Sequence, residues 1–287
     1  MSLVSVNGVR LNVEVEGRGP AVMALHGFTG SVATWDAFAA AASPDYMVVR
    51  VDLLGHGASD APESPARYGM ERCLEDLAAV LDRLSLTRVT WLGYSMGGRL
   101  AIAAALGLPG RTAALVAESA SPGLALESER RDRAAQDSSL ARRIEEAGIE
   151  AFVTYWEALP LFAGQADLPA ATRERLRTQR LRNRPLGLAN SLRGMGTGVQ
   201  PPLHERLSDL AVPVLFVAGE QDAKFVAIAR QMHRQVPGSR LCVISGVGHA
   251  AHLERPDEFN GAVLEFLASL REEAGSREPS TSTLASR

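Results

Sequence analysis

Apolar residues fall along this chain in short runs separated by amphipathic stretches. Residues 4–6 and 11–15 alternate on either side of Asn7-Gly8, the pattern of two antiparallel strands joined by a tight turn. Residues 21–25, 47–51, 89–92, 113–117, 212–218 and 241–244 are mostly continuous apolar runs, as expected of strands covered on both faces. Helical periodicity separates them over residues 35–42, 70–84, 96–106, 224–236 and 256–270. Such alternation predicts an α/β chain with a mostly parallel, doubly wound sheet. It breaks over residues 122–200, where helical segments rich in Arg and Glu contain no strand pattern. We therefore expect a core built from residues 1–121 and 201–271, and a helical cap from 122–200. Residues 272–287, rich in Ser, Thr, Glu and Gly, read as a disordered tail.

The sharpest local feature is Gly93-Tyr94-Ser95-Met96-Gly97. It joins the apolar run at 89–92 to the helix at 96–106, so Ser95 falls on a strand-to-helix turn, the setting of a G-x-S-x-G nucleophile elbow. Small neighbours at 93 and 97 tolerate the strained backbone such a turn imposes. The following helix directs free N–H groups toward charge that develops at the serine.

Composition narrows the possibilities. With 287 residues, 46% hydrophobic and 22% charged, the chain can bury one large core and carry an insertion. A net charge of −3 gives no field favouring nucleic acid or an anionic membrane. No basic leader or membrane-spanning run is evident, and Cys73 and Cys242 show neither zinc nor redox spacing, so we expect a cytoplasmic protein with reduced thiols. Lys224 is the only lysine, so arginine is the chain's general cation and only its position is informative. No metal is expected, since the six histidines include no HExxH and His249-x-x-His252 lacks helical i, i+4 pairing. The run Gly194-Met195-Gly196-Thr197-Gly198 lacks the Lys-Ser/Thr of a phosphate loop and reads as a flexible or tight return from the cap.

An activated serine needs a base and a group that orients the base. Asp222 follows the apolar run ending at 218, and His249 follows the run ending at 244, in the order acid then histidine. Loops at the carboxyl ends of parallel strands converge on one edge, so these residues can meet Ser95 there. His252 competes as the base, although its approach to the last helix suggests a capping or surface role. Glu220 and Glu118 compete as the acid. The oxyanion hole is expected from the backbone N–H groups of Met96 and Phe28, with His26 and His56 in structural roles.

On these residues the chain resembles the α/β-hydrolase superfamily over roughly residues 3–271. Within it, Leu25-His26-Gly27-Phe28-Thr29-Gly30-Ser31 with Trp35, Gly93 to Arg99, Asn190 to Gly198, and Asp222-Ala223-Lys224-Phe225 are similar to the family of 2-succinyl-6-hydroxy-2,4-cyclohexadiene-1-carboxylate synthases of menaquinone biosynthesis. The resemblance implies an α/β-hydrolase fold with a helical cap. It also implies a cofactor-independent lyase that eliminates pyruvate from a small polycarboxylate, with the Ser95, Asp222 and His249 triad used for proton abstraction. Carboxylates call for guanidinium forks. Arg99 lies one turn into the elbow helix, and the family pattern points to Arg133, Arg182, Trp156 and Tyr94 as further substrate-binding residues. Residues 122–200 hold 12 Arg against 10 Asp plus Glu, so most cap arginines have a solvated alternative. Two other readings use the same scaffold: a carboxylesterase or C–C bond hydrolase, and a non-catalytic ligand receptor, which has no need of His249.

Overall fold

A computed structural model describes residues 2–277. Its eight strands are β1 (Ser2–Val6), β2 (Val9–Glu16), β3 (Ala21–Leu25), β4 (Met47–Val51), β5 (Val89–Tyr94), β6 (Thr112–Glu118), β7 (Val214–Gly219) and β8 (Arg240–Ile244). They form one sheet in the order β1-β2-β4-β3-β5-β6-β7-β8. The β1–β2 and β2–β4 pairs are antiparallel, and all others are parallel. Asn7 and Gly8, at φ 43° and 82°, make the tight turn between β1 and β2.

The central strands are buried along their whole length because helices cover both faces. One face packs α2 (Met70–Arg83), α3 (Met96–Gly107) and α7 (Ala223–Gln235) against Trp91, Leu115 and Phe216. The other packs α1 (Asp36–Ala42) and α9 (Pro256–Arg277) against Leu92, Val116 and Val217. Neighbouring residues of one strand thus enter different cores, which is why these strands read as continuous apolar runs. Each large side chain sealed there contributes about 1.5–3 kcal/mol. The last helix runs through Arg277, across the first residues of the tail expected from 272, and the rest of that expectation lies outside the described residues.

Between β6 and β7 the chain is helical: α4 (Glu127–Glu157), a 3₁₀ segment (Pro160–Asp167), α5 (Ala170–Leu181), α6 (Pro185–Met195) and a second 3₁₀ turn (His204–Asp209). Gly148, at φ 78°, breaks α4 into two pieces. Ala141, Ile144, Phe152, Val153, Leu188, Ala189 and Leu192 give this layer its own small core, packed against Phe28. The glycine run after α6 is close-packed: a Cβ on Gly198 would collide with the backbone of α4 at Ala134, and one on Gly194 with Tyr68 and Pro65. Contact between α4 and the returning chain, more than turn flexibility, calls for glycine there.

Candidate active site

Ser95 ends the strand and opens the helix at φ 51°, ψ −107°, a strained region costing about 1–3 kcal/mol for a non-glycine residue. The surrounding chain over-determines it: the Ser95 N–H donates to the Glu118 carbonyl at 2.9 Å, and Arg99 N–H donates to the Ser95 carbonyl at 3.0 Å. A Cβ on Gly97 would strike the carbonyl of Leu25, and one on Gly93 the carbonyl of Gly97, so the turn closes only around small residues.

Two loops bring the other partners to this edge of the sheet. Asp222 caps α7, its Oδ1 accepting the Phe225 N–H at 3.2 Å, and its Oδ2 accepts Nδ1–H of His249 at 2.6 Å. Nε2 of His249 lies 3.0 Å from Ser95 Oγ. With Nδ1 donating to a carboxylate, Nε2 is left to accept the serine proton, the tautomer a general base requires. His249 is 2% exposed, enclosed by the rings of Tyr94, Phe225 and Phe162 at 5.4, 4.6 and 6.4 Å. Among the described residues, the N–H groups of Met96 and Phe28 donate to no protein acceptor, leaving both for a developing oxyanion.

The competitors separate cleanly. His252 is 4% exposed, in neither the surface nor the capping position expected of it. Its Nδ1–H and backbone N–H donate to the buried Glu118 carboxylate at 3.0 and 3.1 Å, and its ring lies 4.5 Å from Tyr94 and 4.9 Å from Trp35. Glu118 is therefore occupied by His252, and the exposed Glu220 accepts the Gly246 N–H at 3.0 Å. His26 Nδ1–H donates to the Gly27 carbonyl, and its Nε2 accepts the Leu53 N–H; His56 donates to the Leu54 carbonyl. Burial lowers these two histidines to about 4 and about 3, so they stay neutral loop braces.

Of the arginines, Arg99 is buried, donating to Gln200 Oε1 at 2.5 Å and to the Met195 carbonyl at 3.0 Å. Burial, with help from the charge of Arg133, lowers it to about 10, so it remains a cation near neutrality. Arg133 is half-exposed and donates to Asp137 at 2.8 Å, which places a second guanidinium within the field of Arg99. Trp156 packs edge-on to Phe28 at 5.3 Å and against Phe162 at 5.4 Å, its buried indole N–H having no partner among the described residues.

Arg182, which the family pattern points to as substrate-binding, is exposed at the end of α5. Arg180, which sequence reasoning passed over, is the buried one, donating to Glu157 at 3.0 Å and Gln165 at 2.8 Å beneath the Phe162 ring. Two residues turn a helix by about 200°, so the two side chains leave opposite faces. Leu176, one turn earlier on the Arg180 face, was the available signal.

A cavity of about 540 Å³ lies within the cap, lined by Glu157, Phe162, Gln165, Arg177 and Arg180 among others. A crevice of about 30 Å³ shares Phe162, Gln165 and Arg180 and reaches Gly27, Phe28 and Tyr94 beside the serine turn. Among the described residues no cluster of three or more His, Cys, Asp or Glu is arranged to hold a metal, and no helix is long and apolar enough to cross a membrane.

The model of the α/β hydrolase fold family matches residues 20–256. A Bacillus subtilis (strain 168) protein, named provisionally as 2-succinyl-6-hydroxy-2,4-cyclohexadiene-1-carboxylate synthase, is 47% identical over 92% of this chain and 97% of its own length. The chain belongs to that synthase family. The enzyme of the same name from Salmonella typhimurium is 33% identical over 88% of this chain and 93% of its own. MenH from S. aureus superposes with a TM-score of 0.87 at 35% identity, covering 91% of this chain and 98% of its own. An esterase from Thermogutta terrifontis, solved with malate bound, reaches 0.82 at 26% identity over 93% and 97% of the two chains. Members of the synthase family and an esterase thus share this fold, and the side chains around Ser95 must separate their chemistries.

Proposed function

We propose that this chain is a lyase that eliminates pyruvate from 2-succinyl-5-enolpyruvyl-6-hydroxy-3-cyclohexene-1-carboxylate, giving 2-succinyl-6-hydroxy-2,4-cyclohexadiene-1-carboxylate in menaquinone biosynthesis. The observation that carries the reading is a Ser–His–Asp relay accompanied by two buried guanidinium groups, Arg99 from the elbow helix and Arg180 from α5. Buried arginine is costly without an anionic partner. Arg180 has Glu157 and Gln165, whereas Arg99 donates only to neutral oxygens and feels the Arg133–Asp137 pair at longer range, so its guanidinium has no directly bonded carboxylate and suits one from a substrate.

In this reading Ser95, its proton drawn to His249 Nε2, removes a ring proton, and Asp222 stabilises the imidazolium. The electron pair of the C2–H bond forms a C2–C3 double bond, the existing C3–C4 double bond shifts to C4–C5, and the C5–oxygen bond breaks. The departing enolate takes a proton to become pyruvate, so water is not consumed. The Phe28 and Met96 N–H groups and the arginines stabilise the charge as it moves. The core, residues 1–121 and 201–271, supplies the relay, and residues 122–200 supply the roof. Unpaired Cys73 and Cys242 support a reducing compartment, the cytoplasm.

A Ser–His–Asp relay with two free amides also suits acyl transfer, so the test compares the two reactions. Stoichiometric pyruvate from the cyclohexene substrate, with weak p-nitrophenyl ester cleavage and no acyl adduct on Ser95 by mass spectrometry, is the expected result. An accumulating acyl-Ser95 without pyruvate release would make the chain a hydrolase.

A further inference from the structure

His249 stands in a loop, Gly246-Val247-Gly248-His249, whose glycines make it intrinsically pliable. Its imidazole must nevertheless stay within hydrogen-bond reach of both Ser95 and Asp222. The side chain that braces this loop is Glu254, at the end of α8 (Ala251–Glu254). Its Oε2 accepts the Gly248 N–H at 2.7 Å, and its Oε1 accepts the Ala250 N–H at 3.3 Å. These N–H groups belong to the residues on either side of His249, so one carboxylate grips the backbone on both sides of the base.

The cap meets the same carboxylate. A Cβ on Gly164, in the 3₁₀ segment Pro160–Asp167, would overlap Glu254 Oε2, so glycine lets the cap backbone settle directly on it. Two residues earlier in that segment, Phe162 lies against the His249 ring. Glu118 holds the far side through His252. Glu118 thus fastens α8 to β6, while Glu254 sets the curvature of the loop at the base itself.

We propose that Glu254 is a positioning residue for His249, and that Gly164 lets the cap register against it. The proposal rests on the reading of His249 as the general base, but not on the identity of the substrate. Charged acceptors make the stronger hydrogen bonds, and a base displaced by about 1 Å can cost on the order of 100-fold in rate.

The test uses the full-length protein with Glu254→Gln, Glu254→Ala and Gly164→Ala. Each is compared with wild type by thermal melting, by kcat and KM, and by the far-downfield proton resonance of the His249–Asp222 hydrogen bond in the absence of substrate. We expect kcat to fall about 10- to 100-fold in Glu254→Ala, KM to change by less than about threefold, and the downfield resonance to broaden or vanish. Glu254→Gln retains one acceptor oxygen and should fall between. Gly164→Ala should move the resonance without altering any residue of the relay. A folded Glu254→Ala with wild-type kcat and resonance would overturn the proposal. If that variant does not fold, the isosteric Glu254→Gln decides, and a Gln variant indistinguishable from wild type overturns it equally. Failure of the lyase reading is distinguishable, because wild type would then release no pyruvate while the resonance still reported on Glu254.

Discussion

Arg180 and Arg182 lie two residues apart at the end of α5 and serve opposite environments: Arg180 is buried against Glu157 and Gln165, and Arg182 is exposed. If the arginines of the cleft bind substrate carboxylates, the phase of the helix decides which of them counts. Arg180→Ala should lower kcat/KM by roughly 10- to 150-fold, corresponding to about 1.5–3 kcal/mol for a charged hydrogen bond. Arg182→Ala should stay within about twofold, as surface changes do. Glu157 keeps Arg177 at 2.6 Å, so the fold should survive the loss of Arg180. Steady-state kinetics on the cyclohexene substrate reversing that order would return the role to Arg182.

Arg99 lies on the elbow helix, and its contribution should likewise be charge-specific. Arg99→Ala is expected to cost about 10- to 150-fold in kcat/KM, with Arg99→Lys recovering only part, because an ammonium cannot reproduce the planar fork. Unchanged kinetics on a carboxylate-bearing substrate would remove Arg99 from the site and leave it a brace for the 195–200 turn.

Exchanging the two neighbouring histidines tests the relay. Ser95→Ala and His249→Ala should each leave a folded protein with activity reduced on the order of 10³-fold or more, and Asp222→Asn should cost a similar amount or less. His252→Ala should show the reverse emphasis. It leaves the Glu118 side chain, which is 0% exposed, without its ring partner, and a buried polar group left unsatisfied typically costs about 1–3 kcal/mol. Melting temperature should therefore fall more in His252→Ala than in His249→Ala, and pyruvate release less. The opposite pattern would make His252 the base.

The difference between what could and could not be read from the residues follows the range of the physics involved. β3, the Ser95 turn, Asp222 after β7 and His249 after β8 were legible because each depends on a few consecutive residues: an apolar run, a small residue, a turn, a helix cap. Arg180 was obscured because its orientation depends on the phase of α5, which an Arg-rich segment with few apolar markers barely reveals. Glu254 was invisible for a stronger reason. Its partners are backbone N–H groups, identical at every position, and only the folded loop brings two of them to one carboxylate. The glycines at 194, 196 and 198 were legible as a requirement, but its cause, contact with α4 and with Pro65 and Tyr68, is long-range.

Acid should weaken the fold through His26 and His56 before the carboxylates titrate. Both rings are fully buried, their centroids 5.0 Å apart, and His26 Nε2 accepts the Leu53 N–H, a role open only to the unprotonated ring. Burial lowers them to about 4 and about 3, against about 6.5 in an unfolded chain. Between these values the unfolded state binds more protons than the native state, so stability rises with pH across this window and is fully present above about 6.5. On acidification each histidine removes up to about 1.4 kcal/mol per pH unit below that point. Urea denaturation at pH 7, 6 and 5 should thus show ΔG falling, and His56→Gln should remove about half of the slope these two rings contribute. That variant starts from a lower ΔG at pH 7, having lost a packed ring, so the comparison rests on the slopes. Parallel slopes for wild type and His56→Gln would mean that His56 is protonated in the native state without penalty, and the buried, neutral brace would have to be abandoned.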